Sequence, residues 1–352
     1  MMPGTREVSP ALAFDVAALE RYLRGHLPAA RGPWQVAQFQ GGQSNPTYLL
    51  TSADGARYVL RRKPPGKLLP SAHAVDREFR VMQALHQAGF AVPAPHVLCT
   101  DEAVIGTAFY VMDFVAGRIF WDPQLPGLAP AERGALFDAM NQTIAALHRI
   151  DPSAVGLGDY GKPGQYIARQ VARWSQQYRA SETERIEAMD RLIDWLPAHI
   201  PPGEETAIVH GDFRLDNLVF HPTEPRVIAV LDWELSTLGH PLADFAYHCM
   251  AWRLEPGQFR GLVGGDLQAL GIPNEADYVA QYCERTARAP IPSEAWEFYM
   301  AYNLFRLAAI LQGVLARALQ GNASSAQALE AGRHARPLAE AAWAQVQRVF
   351  GS

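Results

Sequence analysis

The chain has 352 residues, of which 49% are hydrophobic and 19% are charged, and its formal net charge is −5 at pH 7. This length and composition are typical of a soluble globular protein with one large domain or two lobes. The net acidity excludes an overall basic surface for nucleic acid, and no uninterrupted apolar stretch approaches the length of a membrane span. We therefore expect neither nucleic acid nor a membrane as a partner.

The cysteine pattern and the N-terminus bear on the compartment. Cys99, Cys249 and Cys283 are far apart in the sequence, and none forms a CxxC pair. This indicates neither a zinc site nor a disulfide framework. Residues 1–10 lack the apolar core of a secretory signal. We therefore predict a cytoplasmic protein whose cysteines are buried, reduced thiols.

The N-terminal third of the chain predicts a small lobe of strands and helices. Apolar residues recur at helical spacing over 14–27 and 74–88. Asp54-Gly55 between two strand-like runs is a hairpin signal. The predicted strands cover residues 34–39, 47–51, 58–62, 96–100 and 108–114.

The chain beyond Gly117 changes to long helical patterns. The predicted helices cover residues 130–150, 165–179, 182–196, 243–252, 274–287, 293–319 and 324–350. The sequence therefore favours an α+β class with two lobes and a boundary near residues 115–118. The N-terminal lobe, residues 1–114, would hold an antiparallel sheet and a helix, and the C-terminal lobe, residues 115–352, would be mostly helical.

Two short motifs place three oxygen-bearing side chains beside apolar segments. His210-Gly211-Asp212 is followed by Asn217 five residues after Asp212, and Asp232 comes twenty residues after Asp212. Phosphoryl transfer from ATP needs a carboxylate that accepts the acceptor's proton, together with an amide and a carboxylate that hold Mg²⁺ on the phosphates. The pattern predicts Asp212 as the catalytic base and Asn217 and Asp232 as metal ligands.

Three neighbouring residues have less certain functions in the pattern alone. His210 is interpreted as a structural residue that fixes the loop, because Asp212 already supplies the base. Glu234 could approach a second metal or the acceptor, or it could be a solvated acid on the loop. Asp244 opens a predicted helix, where a carboxylate binds backbone amides, and we expect it to brace the catalytic loop.

The third predicted strand carries a candidate phosphate-binding cation. Alternate residues of a strand share one face, so Val59 can lie against adenine while Arg61 reaches the phosphates. Glu78 in the following helix is the expected partner of Arg61. Lys63 has the same strand parity as Arg61 and is the alternative, because a lysine is usual at this place in protein kinases.

A glycine turn and a strand are predicted to complete the nucleotide site. Gly42, Ser44 and Asn45 belong to a turn whose backbone amides could approach the phosphates. The run of residues 110–114, with Met112 and Phe114, is the candidate hinge beside adenine; a plain buried strand is its alternative. Near the C-terminus one helix face carries a polar stripe, which we interpret as a packed seam between helices. This stripe consists of Tyr299, Asn303 and Arg306.

These motifs together resemble the aminoglycoside phosphotransferase-like kinase family, which shares its two-lobed fold with protein kinases and choline kinases. The resemblance runs from residue 41 onward and is carried by His210-Gly211-Asp212 with Asn217, by Asp232-Trp233-Glu234, and by Gly239-His240-Pro241 with Asp244. Residues 61–66, 69–73 and 321–325 look more closely like the kinase-like domain found fused to, or encoded near, certain acyl-CoA dehydrogenases.

The resemblance implies an ATP- and Mg²⁺-dependent kinase that phosphorylates the hydroxyl group of a small molecule. It implies catalytic Asp212, metal ligands Asn217 and Asp232, and Arg61 with Glu78 at the phosphates. It suggests a hydroxyacyl thioester of fatty-acid catabolism as acceptor and a functional link to an acyl-CoA dehydrogenase. The alternative is a non-catalytic nucleotide-binding module of the same fold, which the arginine at position 61 favours.

Overall fold

The computed structural model describes residues 4–27, 31–40, 45–66, 73–256, 260–320 and 326–351. The chain divides into two compact units. The first unit comprises Met1–Ile119, Val155–Leu157 and Asn217–Ser236, and the second comprises Phe120–Ala154, Gly158–Asp216 and Thr237–Ser352. The predicted lobe boundary near residues 115–118 stays a prediction.

Short strands and longer helices alternate along the described residues. The strands there are β1 (Thr5–Arg6), β2 (Gln35–Phe39), β3 (Thr47–Thr51), β4 (Arg57–Arg62), β5 (Pro95–Cys99), β6 (Phe109–Asp113), β7 (Ala207–Val209), β8 (Leu218–Phe220), β9 (Val227–Val230) and β10 (Thr237–Gly239). The α-helices there are α1 (Val16–His26), α2 (Val75–Gln87), α3 (Pro130–Arg149), α4 (Tyr166–Ala180), α5 (Glu187–Ala198), α6 (Pro241–Cys249), α7 (Leu267–Leu270), α8 (Glu275–Arg285), α9 (Ser293–Leu319), α10 (Ala326–Gly332) and α11 (Ala335–Phe350).

Six strands of the first unit form one antiparallel sheet in the order β1-β2-β3-β4-β6-β5. Leu50 and Leu60 are fully buried in a core cluster with Leu19 of α1. Because side chains alternate between the faces of a strand, Val59 and Arg61 point to the opposite face from Leu60. The alternation of β4 therefore separates the candidate nucleotide-binding residues from the core beneath them.

A second antiparallel pair in the first unit, β8 with β9, carries the two predicted metal ligands. The backbone N–H of Leu231 donates to the carbonyl of Asn217 at 2.8 Å, and that of Val230 donates to the carbonyl of Ala91 at 2.8 Å. Asn217 directly precedes β8, and Asp232 lies two residues beyond β9. Both residues are thus mounted at the same end of a short, hydrogen-bonded hairpin.

The second unit is built around α9, which has 27 residues and packs against α4, α6, α10 and α11. Among the described residues, α9 is the one helix whose length and composition would allow it to cross a bilayer. Of its most apolar 18-residue stretch, 83% is buried inside the protein. A helix that is apolar on most sides and buried is typical of a protein core. Beside it, β7 pairs antiparallel with β10, directly before α6 begins.

Several elements differ from their predicted bounds. The helix predicted from residue 182 begins at Glu187, since the preceding Ile186 is extended and buried. The helix predicted over 324–350 is divided into α10 and α11. Gly332 ends α10 so close to α9 that a Cβ there would lie 2.5 Å from Leu315 Cβ. β1 and α7 were not predicted, because elements of two and four residues are too short to show periodicity.

The burial of Leu60 in the core of the first unit predicts how a substitution there should change the free energy of unfolding. Leu60→Ala should lower the free energy of unfolding by about 2–5 kcal/mol, because it empties a fully buried site. Leu319→Ala, at a side chain that is 63% exposed, is the matched control and should change it by less than about 0.5 kcal/mol. Urea unfolding of both variants measures the difference; equal effects would contradict the assigned core.

Candidate active site

Arg61 lies among three carboxylates in the first unit. Its Nη2 donates hydrogen bonds to Asp232 Oδ1 at 2.7 Å and to Glu234 Oε2 at 3.1 Å. Its Nε forms an ion pair with Glu78 Oε2 at 2.9 Å. One guanidinium therefore connects β4 with α2 and with the segment that follows β9. The structure contains the expected pair of Arg61 and Glu78, while their contact with phosphates stays a prediction.

The electrostatics of this cluster follow from its burial. Burial would lower the pKa of Arg61, but Glu78 above all, with Tyr110 and Asp232, raises that pKa above its usual range. Burial raises the pKa of Glu78 to about 7, although Arg61 and the hydroxyl of Tyr110 act to lower it. Arg61 is 8% exposed and Glu78 is 1% exposed. Arg61 thus stays protonated, whereas the pKa of Glu78 lies near neutral pH because burial opposes its charge and its partners favour it.

Two neutral side chains orient Glu78. Asn45 Nδ2 donates to Glu78 Oε1 at 2.7 Å, and the Tyr110 hydroxyl donates to Glu78 Oε2 at 2.9 Å. His73 Nδ1 lies 2.9 Å from Asn45 Oδ1. The side chain of Asn45 is therefore buried in the Glu78 network. Sequence reasoning placed Asn45 in a phosphate-binding turn, and the rest of that turn lies outside the described residues, including Gly42 and Ser44.

A cavity of about 270 Å³ in the first unit adjoins the Arg61 cluster. Its lining includes six residues predicted from the sequence, namely Val59, Arg61, Met112, Phe114, Asn217 and Asp232. Val59 pairs with Met112 across β4 and β6, so that the two apolar side chains share one face of the sheet. Lys63, the alternative to Arg61, is not among the lining residues. The cavity thus joins an apolar wall to a charged and amide-bearing wall.

The donor set at this cavity suits a hard divalent cation. Asn217 and Asp232 bring one amide and one carboxylate to the same wall. Mg²⁺ is usually bound by one or two carboxylates, with water and phosphate oxygens at the other positions. The described residues contain no cluster of three or more His, Cys, Asp or Glu that would form an all-protein metal cage. Asp232 has φ +64°, an uncommon conformation that is concentrated at functional sites.

Asp212, the predicted base, belongs to the second unit and is held by two neighbours. The Tyr247 hydroxyl donates to Asp212 Oδ1 at 2.6 Å. Arg214 Nε lies 3.2 Å from Asp212 Oδ2. Arg306 Nη2 donates to the carbonyl of Gly211 at 2.8 Å. These contacts orient the carboxylate and its backbone, and motif reasoning found neither Tyr247 nor the contact of Arg306, because α6 and α9 are distant in sequence.

A buried carboxylate braces the loop that carries Asp212. Asp244 accepts hydrogen bonds from the backbone N–H groups of His210 and Gly211, each at 2.8 Å, and its Oδ2 lies 3.2 Å from His148 Nε2. Burial would raise the pKa of Asp244, but the contact with His148 and the hydrogen bonds from the loop lower it. The predicted brace is confirmed. His210 is also structural, since its Nδ1 accepts from the Asp212 N–H at 3.2 Å.

The polar stripe on α9 is a buried seam, as predicted. Asn303 Nδ2 donates to the carbonyl of Ala243 at 2.9 Å, and the Tyr299 hydroxyl lies 3.2 Å from His240 Nε2. All three residues of the stripe are buried. The seam therefore joins α9 to the start of α6, from which Asp244 reaches the loop.

A second cavity, in the second unit, lies beside the partners of Asp212. Its wall is largely apolar, with Phe137, Met140, Leu215, Met250, Trp252 and Leu254. Arg214 and Tyr247, which both contact Asp212, line it as well. Asp216 pairs there with Arg214 at 3.5 Å and with Arg260, whose guanidinium also lies 5.1 Å from the ring of the exposed Trp121. No motif indicated Arg260 or Trp121.

His248, which lines the second cavity, predicts a pH dependence of stability. Burial lowers the pKa of His248 to about 4, from an ordinary value of 6.5. The unfolded chain then binds the proton more readily than the folded chain does. The contribution of His248 to the free energy of unfolding should therefore be fully present above pH 6.5 and be lost as the pH drops toward 4. The loss from this residue should reach about 3 kcal/mol. Chemical unfolding measured from pH 7 to pH 4 checks this.

The comparison that isolates His248 uses two substitutions. His248→Gln should make the decline in stability shallower, because it removes one of two histidines whose pKa burial lowers to about 4; the other, His240, remains. His86→Gln, at an exposed site in α2, should keep the steep decline. Parallel curves for both variants would contradict the assignment of the decline to His248.

The chain is similar to known proteins in sequence and in structure. The family model for the phosphotransferase enzyme family, APH, matches residues 35–290. The chain is 51% identical over 346 residues to acyl-CoA dehydrogenase family member 10 of Mus musculus, covering 97% of this chain and 32% of that protein. It is 46% identical over 344 residues to family member 11 of Rattus norvegicus, covering 96% of this chain and 44% of that protein. The chain thus spans less than half the length of these relatives.

Solved structures share the fold. A Ralstonia eutropha JMP134 protein, provisionally named an aminoglycoside phosphotransferase, has a TM-score of 0.87 and 56% identity, with 96% of this chain and 99% of that chain covered. Choline kinase from Cryptosporidium parvum Iowa II has a TM-score of 0.63 at 12% identity, with 96% and 97% covered, which shows the fold alone. The predicted α+β kinase-like class is confirmed. Since the family model covers more than half of its length, this chain belongs to the phosphotransferase enzyme family.

Proposed function

We propose that this protein is a small-molecule kinase, which transfers the γ-phosphoryl group of ATP to the hydroxyl group of an acceptor. Membership of the family confirms the predicted enzyme class at the level of the family. The observation that carries the proposal is the first cavity, where Arg61, Asn217 and Asp232 line one space with an apolar wall. This is the combination of groups that a nucleotide triphosphate and its divalent cation require.

Different residues of the first cavity would contact different parts of the nucleotide. Val59 and Met112 offer an apolar surface to adenine, and Arg61 offers a planar fork of N–H donors to phosphate oxygens. Asn217 and Asp232 would hold Mg²⁺, which neutralises charge on the phosphates when bound. The Glu78 network keeps Arg61 at the cavity, within reach of the phosphates.

Asp212 acts on the acceptor. The acceptor oxygen forms a bond to the γ-phosphorus while the bond from that phosphorus to the β,γ-bridging oxygen breaks, and ADP leaves. Asp212 takes the hydroxyl proton. The hydrogen bond from Tyr247 at 2.6 Å holds one carboxylate oxygen, which leaves the group oriented for the acceptor. The brace from Asp244 keeps the loop rigid during this step.

Loss of the base should separate chemistry from nucleotide binding. Asp212→Asn should lower the rate of phosphoryl transfer about 10²–10⁴-fold, the usual contribution of general base catalysis. Its Kd for ATP should stay close to that of the unchanged protein, because Asp212 is not among the residues that line the first cavity. Coupled measurement of ADP release and calorimetric ATP binding give the two quantities.

The control for this variant is Asp194→Asn, which changes an exposed carboxylate on α5. It should keep full activity. If Asp212→Asn transfers phosphate as fast as the unchanged protein, the assignment of the base is wrong. If the unchanged protein binds MgATP but phosphorylates no acceptor in a broad panel, the non-catalytic nucleotide-binding module is the better description.

The second cavity supports a hydroxyacyl thioester as the acceptor. Its apolar wall encloses about 60 Å³ and suits a short acyl group, whose burial is favourable at about 25 cal/mol per Å². Arg214 and Arg260, each paired with a carboxylate, offer N–H donors to an anionic group of the acceptor. The relatives named acyl-CoA dehydrogenase family members agree with acyl thioester chemistry, and a functional link to such a dehydrogenase is part of the proposal.

An acceptor panel tests this substrate class. The panel contains hydroxyacyl-CoA thioesters of graded chain length, their free hydroxy acids and an aminoglycoside. A thioester should show the highest kcat/KM of these compounds. Arg260→Ala should raise the KM for the thioester about tenfold, the equivalent of about 1.4 kcal/mol, and should change the KM for the free acids less. Arg333→Ala, at an exposed site, is the control. Preference for the aminoglycoside would overturn the proposed acceptor.

A further inference from the structure

The guanidinium of Arg61 holds the carboxylate that is expected to bind the metal. Arg61 Nη2 lies 2.7 Å from Asp232 Oδ1 and 3.1 Å from Glu234 Oε2. Asp232 and Arg61 line the same cavity. Arg61 Nη2 therefore occupies a coordination direction of Asp232. While it stays there, its positive charge opposes the binding of a metal ion at that oxygen.

The identity of the cation makes this arrangement possible. A guanidinium presents donors in a planar fork, so that Nε can face Glu78 while Nη2 faces Asp232 and Glu234. An ammonium is a single point charge on a flexible stem and cannot address widely spaced carboxylates in this way. The arginine in place of the usual lysine is therefore matched to a site with a third carboxylate, Glu234.

The charge of the cluster also favours a divalent ion. Arg61 contacts three carboxylates, those of Glu78, Asp232 and Glu234. The side chains of Asp232 and Glu234 are 33% and 25% exposed, which leaves the cluster open to a ligand from the cavity. A phosphate that draws Arg61 toward itself would withdraw its positive charge from Asp232 and Glu234. A divalent ion would then bind these carboxylates more favourably.

We propose that Arg61 couples nucleotide binding to metal binding by exchanging partners. Without nucleotide, Arg61 holds Asp232 and suppresses metal binding there; when the triphosphate arrives, Arg61 turns its Nη2 to a phosphate oxygen and Asp232 becomes available to the divalent ion. Glu78 and Glu234 act as positioning residues that keep Arg61 between its two partners. This inference rests on the proposed kinase function, because it uses the same cavity and the same metal ligands.

The coupling has a measurable size. Coupling free energies between sites usually correspond to a 5- to 150-fold change in affinity, and the same factor acts in both directions. The affinity of the protein for a divalent ion should therefore rise by a factor in this range when a nucleotide is bound. The affinity for the nucleotide should rise by the same factor when the ion is present.

The test uses Mn²⁺ as a spectroscopic substitute for Mg²⁺ and needs no acceptor. Electron paramagnetic resonance measures Mn²⁺ binding to the full chain alone and with a non-hydrolysable ATP analogue, and calorimetry measures binding of the analogue with and without Mn²⁺. Without nucleotide, Arg61→Gln should bind Mn²⁺ at least about tenfold more tightly than the unchanged protein, within the usual range of coupling. Its coupling to the nucleotide should be largely lost.

Three further variants keep the test decisive. Arg61→Lys retains the charge, so it carries the test if Arg61→Gln does not fold; it should bind Mn²⁺ without nucleotide more tightly than the unchanged protein but less tightly than Arg61→Gln. Arg6→Gln, exposed on the same sheet, is the control and should keep both the weak Mn²⁺ binding and the coupling. Asp232→Asn should bind no Mn²⁺ at this site under either condition.

The outcomes separate this inference from the proposed function. If the unchanged protein binds Mn²⁺ equally well with and without the analogue, and the Arg61 variants do the same, the partner exchange is wrong although the metal site stands. If no Mn²⁺ binds even with the analogue present, the metal site and the proposed kinase function both fail.

Discussion

A buried guanidinium that must satisfy three carboxylates is the interaction on which the nucleotide site depends. Arg61 joins a strand, a helix and the segment after β9, three parts of the chain that no local pattern connects. Removing one partner from such a buried cluster leaves an uncompensated charge, which costs far more than a surface ion pair contributes. The sheet and α2 are therefore positioned relative to each other by the same contacts that hold Arg61 at the first cavity.

In the second unit, hydrogen bonds to the backbone support the loop that carries the predicted base. Asp244 accepts hydrogen bonds from two backbone N–H groups of the loop that carries Asp212. The buried helix α9 adds Arg306, which binds the carbonyl of Gly211. The loop is thus held at its backbone from both sides, and the Asp212 side chain is oriented separately by Tyr247. Rigid support of this kind is what general base catalysis requires of its surroundings.

Much of the fold and part of the site could be predicted because their signals are local. Long helices such as α3 and α9 show their periodicity within their own residues, and the spacing of Asp212, Asn217 and Asp232 is readable along the chain. The division between α10 and α11 was missed because it follows from the close approach of Gly332 to α9. Asn45 was placed in a phosphate-binding turn, whereas its side chain supports Glu78, a residue 33 positions away.

The sequence by itself predicted the candidate chemistry: residue types at fixed spacings indicated the oxygen ligands, the base and the strand-borne cation, and the same motifs carried the resemblance to the family. Only the tertiary structure decided which groups hold these residues. It also decided that Arg61 rather than Lys63 lines the cavity, and that Arg61 donates a hydrogen bond to Asp232. The physical reason is range. Backbone periodicity and turn chemistry act over a few residues, whereas hydrogen bonds and ion pairs between α2, β4 and the end of β9 depend on how distant segments pack.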